Sequence, residues 1–258
     1  MRPARLALAG LLLALGATPS AAAEKLVSSL SDHVIQITSS FVGTKLVLFG
    51  IVERDAESPP RRGSYDIVAT VKGPPQVLVV RRKARVAGIW VNADSRTFVQ
   101  VPSYLAVLSN RPIEAIVPID VARRLQLGVR RTLLPQQIGP DTADVVRDDP
   151  FRSAFLKLQE DRGLYVEKIG AINFQASLYS GSIPIPAGAP IGTYTVEVKL
   201  FADGALIASS NEAFDIAKEG FEQFVAESAV NHGLLYGLAS AAMAVVTGWL
   251  AAVMFRRD

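Results

Sequence analysis

The side chains with which this sequence could do chemistry are few and widely spaced. Of the two histidines, His33 opens the run HVIQIT and His232 borders an apolar C-terminal stretch. Neither has a second histidine or a paired carboxylate at ligand spacing, and no H-E-x-x-H occurs. Ser31, Asp32 and His33 are the three residue types of a serine triad, but neighbours in one segment cannot reach its geometry, and G-x-S-x-G is absent. The glycine-rich phosphate-binding patterns G-x-x-x-x-G-K-[ST] and G-x-G-x-x-G are absent too. Asp141, Asp144, Asp148 and Asp149 lack the alternation with glycine that a calcium loop needs, and they read as a solvated loop with a helix cap. There is no cysteine, which removes disulfides, thiol catalysis, haem c attachment, lipoprotein anchoring and thiolate metal sites. These patterns predict no catalytic residue, no metal site and no cofactor. Carboxylates brought together only by the fold are the one enzymatic route they leave open.

One cluster stands apart. In VVRRKARVAGIWVN (79–92), Arg81, Arg82, Lys83 and Arg85 fall within five positions, followed by Trp90 and Asn92. In a regular strand, Arg81, Lys83 and Arg85 point to one face, while Val80, Arg82, Ala84 and Val86 point to the other. The first three then form a basic ridge, and Arg82 pairs with an acid such as Asp66 or Asp94. Such a ridge suits an acidic partner loop, lipid headgroups or a solute anion. The plainer alternative is a solvated strand face whose ion pairs are worth little.

The compartment these residues see is predicted by the two ends of the chain. Arg2 and Arg5 precede a 12-residue apolar run, Leu6–Ala17, too short for a bilayer core that takes about 20 residues. Ala21–Ala23 supply a small-x-small cleavage pattern, so residues 1–23 read as a signal peptide and the mature chain begins at Glu24. Retained, the same segment would be an N-terminal anchor. Without it, 25 basic residues face 24 acidic ones, a near-balance that says little about partners. At the other end, the 23 residues Gly233–Phe255 carry no charge and are long enough to span the hydrocarbon core. Tyr236 and Trp249 sit near the two interfaces, and Arg256 and Arg257 place the tail 256–258 in the cytoplasm. The bulk of the chain is therefore expected in the periplasm, on a single-pass inner-membrane protein, where nucleic acid is not the usual partner.

Small residues recur along the span. Ser240, Ala244, Gly248 and Ala252 repeat every four positions, and Gly233 and Gly237 form a G-x-x-x-G. This spacing lets a second helix approach closely. With no ionisable residue inside, the span is not an ion path by itself.

The elements that must position these groups read as mainly β with helical segments, an α+β arrangement built on an immunoglobulin-like antiparallel sandwich, plus one C-terminal transmembrane helix. Strand-like runs cover 44–52, 64–73, 76–86, 88–92 and 96–108, broken by ESPPRRG, GPP, NADS and SNRP. They make up a β domain over 24–112, whose first strand is HVIQIT. A helical connection over 113–163 follows. It comprises a helix over 118–128, the loop RRTLLPQQIGPDTADVVRD, and a helix over 148–163. In the second helix Asp149 caps, Pro150 takes the first position, and Phe151, Ala154, Phe155 and Leu158 share a face. A second β region over 164–217 packs on these helices or shares a core with the first. Its strand 192–201 sends Tyr194, Val196, Val198 and Leu200 one way and Thr195, Glu197 and Lys199 the other, then turns at ADG into a hairpin. The proline-rich run 182–192 predicts an edge or a connection. Residues 218–232 predict an amphipathic juxtamembrane helix with Phe221, Phe224, Val225 and Ala229 on one face, leading into the span 233–255.

In this order, VVRRKARVAGIWVN, VPSYLAVLSNRPI, RGLYVEK, PAGAPIGTYTVEVKLFADG and the terminal GLLYGLA…GWLAAVMFRR resemble an alphaproteobacterial family of transmembrane proteins of unknown function, the Alph_Pro_TM type, over nearly the whole mature chain. The resemblance implies no catalytic residue. It does imply a neighbourhood, because members are often encoded beside permeases of the sulfite exporter TauE/SafE type. The expected role is that of an accessory or interaction subunit of a membrane transport complex. The alternative is a membrane-anchored module that binds a periplasmic solute or anion.

Overall fold

The computed structural model describes residues 24–38, 41–53, 64–138, 141–144, 149–218 and 229–254. The expected signal segment, the expected ESPPRRG turn, Asp148, most of the expected juxtamembrane helix, Phe255 and the tail lie outside the described residues.

The strands, in chain order, are β1 (Lys25–Leu30), β2 (Val34–Ile37), β3 (Gly43–Glu53), β4 (Asp66–Lys72), β5 (Pro75–Val86), β6 (Ile89–Pro102), β7 (Leu105–Ser109), β8 (Pro135–Ile138), β9 (Asp141–Asp144), β10 (Tyr165–Ile169), β11 (Ile172–Gln175), β12 (Leu178–Pro186), β13 (Gly192–Ala202) and β14 (Ala205–Lys218). Helices span Ile113–Ile116, Ile119–Arg124, Pro150–Asp161 and Gly233–Met254, with a 3-10 turn at Val129–Arg131. The chain is thus mainly β with helical segments and one C-terminal apolar helix.

Two sheets pack face to face. One has the order β1-β3-β12-β11, the other β10-β7-β4-β13-β14-β2. Between them lies a core that includes Leu26, Leu46, Leu48, Ile67, Ala69, Val71, Tyr104, Ile183, Tyr194, Val196, Val198, Leu200 and Phe214. The pairing β3–β12 and β4–β13 joins strands from the 24–112 and 164–217 regions. The two β regions therefore divide the chain and not the core. The arrangement is compatible with an immunoglobulin-like sandwich. Two pairings of the larger sheet, β10–β7 and β14–β2, are parallel rather than antiparallel.

β4 and β7 read as unbroken apolar runs because both of their faces are covered. Ile67, Ala69, Val71, Ala106 and Leu108 face the first core. Val68, Leu105 and Val107 face a second one, with Phe98, Ile113, Ala122, Leu127, Phe151, Phe155, Tyr165 and Phe201. Phe98 stacks on Phe155 (centroids 4.6 Å), and Tyr165 meets Phe155 edge-on (5.7 Å). The helix Pro150–Asp161 is thereby clamped to the outer face of the larger sheet.

Several local expectations are corrected. Lys25–Leu30 is a strand ahead of HVIQIT, paired to β3 from Lys25↔Glu53 to Leu30↔Leu48. NADS is not a turn, since Asn92, Ala93, Asp94 and Ser95 lie inside β6. The loop after the helix Ile119–Arg124 contains β8 and β9, because Gln136 and Gln137 find open ladder positions opposite Phe98 and Thr97. On the helix Pro150–Asp161 the buried face is Phe151, Arg152, Phe155, Leu156 and Gln159, while Ala154 and Leu158 face outward. The cap is as expected, with Asp149 accepting from the backbone N–H groups of Phe151 (3.3 Å) and Arg152 (3.1 Å). The proline-rich run enters β12, which has neighbours on both sides only as far as Gly181. Beyond it, Pro184 and Pro186 sit where β12 pairs with β3 alone, so their missing N–H groups cost no second ladder. Lys199, expected to face solvent, is buried and pairs with Glu197 on its own strand.

A buried carboxylate ties the start of β4 to the end of β7. Asp66 accepts from Arg111 Nε (2.7 Å), from Arg111 Nη2, and from Asn110 Nδ2 (2.9 Å), while Asn110 Oδ1 accepts from the Ile67 N–H (3.0 Å). The bidentate contact with Asp66 raises the pKa of Arg111. Arg111→Ala strands a buried carboxylate and is expected to cost about 2 kcal/mol, because half of the arginine side chain is in water and the pair is partly screened. Chemical denaturation of Arg111→Ala against Arg111→Lys measures it. Equal midpoints for wild type and Arg111→Ala would refute the role.

Candidate functional site

Four basic residues and an indole are carried on one hairpin. β5 and β6 pair antiparallel from Pro75↔Pro102 to Val86↔Ile89. The turn between them is Ala87-Gly88, with φ of 49° and 87°, the left-handed pair of a type I′ hairpin that alanine tolerates poorly and glycine well. Two register shifts lie along the ladder. Near the base, Gln100 adopts φ 52° between the pairs Gln76↔Val101 and Leu78↔Phe98. Further out, Ala93 is extra between Arg82↔Asp94 and Lys83↔Asn92. Bulges increase twist and turn the strand away from the sheet.

The register sorts the side chains. Arg81, Lys83 and Arg85 share a face with Ser95, Asn92 and Trp90. Val80, Arg82, Ala84 and Val86 share the opposite face with Arg96, Asp94, Val91 and Ile89. Arg82 is held at the base of this second face. Its Nη2 lies 3.6 Å from Asp94 Oδ2, and its guanidinium stands 5.9 Å from the Phe151 ring, which Arg96 also approaches at 5.2 Å. Asp66, the other acid considered for it, is engaged by Arg111. Arg81, Lys83 and Arg85 make no ion pair among the described residues; Arg85 Nε donates to the Gly88 carbonyl (3.3 Å). Beside Arg81, Arg82 and Lys83, a cavity of about 290 Å³ opens against Pro150, Phe151 and Ala154.

The residues beyond the basic run were missed as a surface. Val86 is 56%, Ile89 69% and Trp90 67% exposed. The signal lay in the sequence as Val86 and Ile89-Trp90-Val91 flanking Ala87-Gly88, apolar residues set at a tight turn.

A larger cleft, of about 960 Å³, runs beside the helix Pro150–Asp161. Arg130, Arg131, Arg152 and Lys157 line it together with Glu114, Glu160, Asp161 and Glu167. Two of the basic groups are engaged: Arg131 Nη2 donates to Glu114 (2.6 Å), which lowers the pKa of that carboxyl, and Arg152 Nη2 donates to the Thr132 carbonyl (2.7 Å). With as many acidic as basic groups along it, the lining does not select an anion. Among the described residues, no group of three or more His, Asp or Glu comes together as a metal site, and His33 is on the surface.

The helix Gly233–Met254 has 22 residues and a mean hydropathy of 1.8, and none of its most apolar window is buried by the other described residues. Ser240 Oγ donates to the Tyr236 carbonyl (2.9 Å), and Thr247 Oγ1 to that of Met243 (2.7 Å), so both hydroxyls are satisfied within the helix. Gly233, Gly237, Ser240, Ala244, Gly248 and Ala252 lie on open surface, and a Cβ built at any of the three glycines meets nothing within 4 Å.

Compared with known proteins, the chain matches one protein-family model, described as "Putative transmembrane protein (Alph_Pro_TM)", over residues 25–257. No curated protein and no solved structure matches it.

Proposed function

From the premise that this chain belongs to the Alph_Pro_TM family of transmembrane proteins, we propose that it is a non-enzymatic accessory subunit of a membrane complex built around a transport permease. In this reading the β-rich body is periplasmic, the C-terminus is cytoplasmic, and the partner is a second membrane protein. The observation that carries it is the helix Gly233–Met254. One side of that helix is made smooth by Ser240, Ala244, Gly248 and Ala252, its hydroxyls are internally bonded, and no other described residue covers it. Lipid tails are as apolar as the helix, so association between helices rests on close packing, which small residues allow.

Purification of the tagged full chain from native membranes in mild detergent tests this. A second membrane protein is expected in constant ratio. Ala244→Leu combined with Gly248→Leu is expected to lower that ratio at least fivefold while the amount of tagged chain stays level. Recovery of the chain alone, as a monomer, would sink the accessory reading. It would favour the solute-binding alternative, which is supported by the 290 Å³ cavity beside Arg81, Arg82 and Lys83.

A further inference from the structure

We propose that the tip of the β5–β6 hairpin is a second membrane contact, which docks on and enters the headgroup region of an anionic lipid bilayer. The proposal rests on the membrane reading of the helix Gly233–Met254 and needs no protein partner. The tip is amphipathic in a way that suits an interface. Ala84, Val86, Ile89 and Val91 form one face, and Lys83, Arg85 and Trp90 the other, with Arg81 one step behind. Basic residues meet anionic headgroups, an indole is at home at the interface, and the aliphatic side chains bury in the acyl boundary. The last contact of the hairpin with the body is at Arg82 and Lys83, against Phe151. Four residues beyond Arg82, at about 3.4 Å each, project the turn roughly 14 Å, enough for the 5–10 Å depth of interfacial burial.

The bilayer is also within reach. β14 ends at Lys218, and the described chain continues at Ala229, in helix. The intervening chain can extend no more than about 40 Å at roughly 3.5 Å per residue, so the body is held at high effective concentration near the lipid surface. Other occupants fit less well. A second copy adding its own β5 antiparallel would set Arg81, Lys83 and Arg85 against like charges. An acidic protein loop would satisfy the cations and leave Val86 and Ile89 in water.

The absence of cysteine makes a direct test simple. Ile89→Cys in the full-length protein takes a single polarity-sensitive fluorophore, and Ala187→Cys, an exposed position on the body, is the control. Each is reconstituted in vesicles of phosphatidylcholine alone or with phosphatidylglycerol. In the anionic vesicles the label at 89 is expected to shift to the blue and to be quenched by spin-labelled lipid at least threefold more than the label at 187. The difference should fall by half or more in neutral vesicles. It should fall similarly when Arg81→Gln, Lys83→Gln and Arg85→Gln are combined, a change confined to exposed side chains and checked by an unaltered melting curve. A label at 89 as water-exposed as that at 187 overturns the proposal, as does equal quenching in both vesicle types. Shielding of position 89 in native membranes but in neither vesicle would assign the tip to a protein partner instead. A failed co-purification leaves this result untouched, so the two readings fall separately.

Discussion

Replacing Gly50 with alanine is expected to cost about 3 kcal/mol, the upper end for overpacking a filled core. Gly50 lies at the middle of β3, opposite Ser28 on β1 and Tyr179 on β12. The Tyr179 ring crosses over the glycine, and its hydroxyl forms a 2.5 Å hydrogen bond with Ser28 Oγ on the far strand. A Cβ at position 50 would collide with the Val27 carbonyl oxygen and with the Tyr179 hydroxyl and ring. The carbonyl belongs to the backbone of a paired strand and cannot step aside, and the tyrosine can do so only by leaving a buried hydroxyl unbonded. For a domain of this size, ~3 kcal/mol lowers Tm by roughly 6–12 °C. Gly163→Ala is the comparison. Its Cβ meets nothing within 4 Å, so only the left-handed φ of 68° resists it, at about 1 kcal/mol. Equal melting temperatures for wild type and Gly50→Ala would show that the three strands are not packed as described.

Above pH 10 the β body is expected to unfold cooperatively rather than ionise gradually. Burial pushes the Tyr194 hydroxyl up to about 12, with the neighbouring Ser103 hydroxyl partly offsetting the rise. Burial raises Tyr104 and Tyr165 further, and raises Tyr179 against the opposing effect of its bond to Ser28. Three of these hydroxyls donate to proline carbonyls: Tyr104 to Pro184, Tyr165 to Pro102 (2.7 Å) and Tyr194 to Pro190 (2.6 Å). A phenolate could not make those bonds. The folded pKa values lie above the unfolded value near 10, so the unfolded state loses protons first as pH rises. The stabilisation is complete below pH 10 and is lost between pH 10 and the folded values. Each tyrosine contributes a slope of about 1.4 kcal/mol per pH unit while the pH lies between the unfolded and folded values, so Tyr104, Tyr165 and Tyr194 together contribute about 4. Over about two units that is comparable to a typical stability of 5–15 kcal/mol. Tyrosinate absorbance near 295 nm should therefore appear together with the loss of β-sheet circular dichroism, and Tyr194→Phe should move the midpoint to higher pH. Tyrosinate growing in at pH 10 while the fold persists would contradict this burial.

The legible parts of this protein are those whose signal is local. Asp149-Pro150 predicts a helix start because a side-chain acceptor and a fixed φ act within one turn. The alternation of Tyr194, Val196, Val198 and Leu200 predicts one buried face because the strand period is two, and all four are fully buried. The apolar span is read from length and charge alone, since a bilayer imposes both. The basic ridge of Arg81, Lys83 and Arg85 is likewise visible in a five-residue window.

Contacts far apart in sequence were decided elsewhere. Nothing in the run Gly43–Glu53 indicates that β3 will take β12, more than 120 residues later, as its neighbour, and that pairing is what makes two β regions into one core. The helix Pro150–Asp161 turns its face from Ala154 and Leu158 to Arg152 and Leu156 because Phe98 and Tyr165 hold Phe155 from the sheet side. Arg82 could pair with Asp66 or Asp94 by charge alone. Tertiary structure gives Asp66 to Arg111 and Asp94 to Arg82, because the β6 register sets Asp94 directly across the hairpin. Sequence determined which segments are apolar, charged or punctuated, since those properties belong to single residues and their near neighbours. Only the tertiary structure decided which apolar residues are left uncovered, as at Val86, Ile89 and Trp90, because exposure depends on what the rest of the chain fails to bring there.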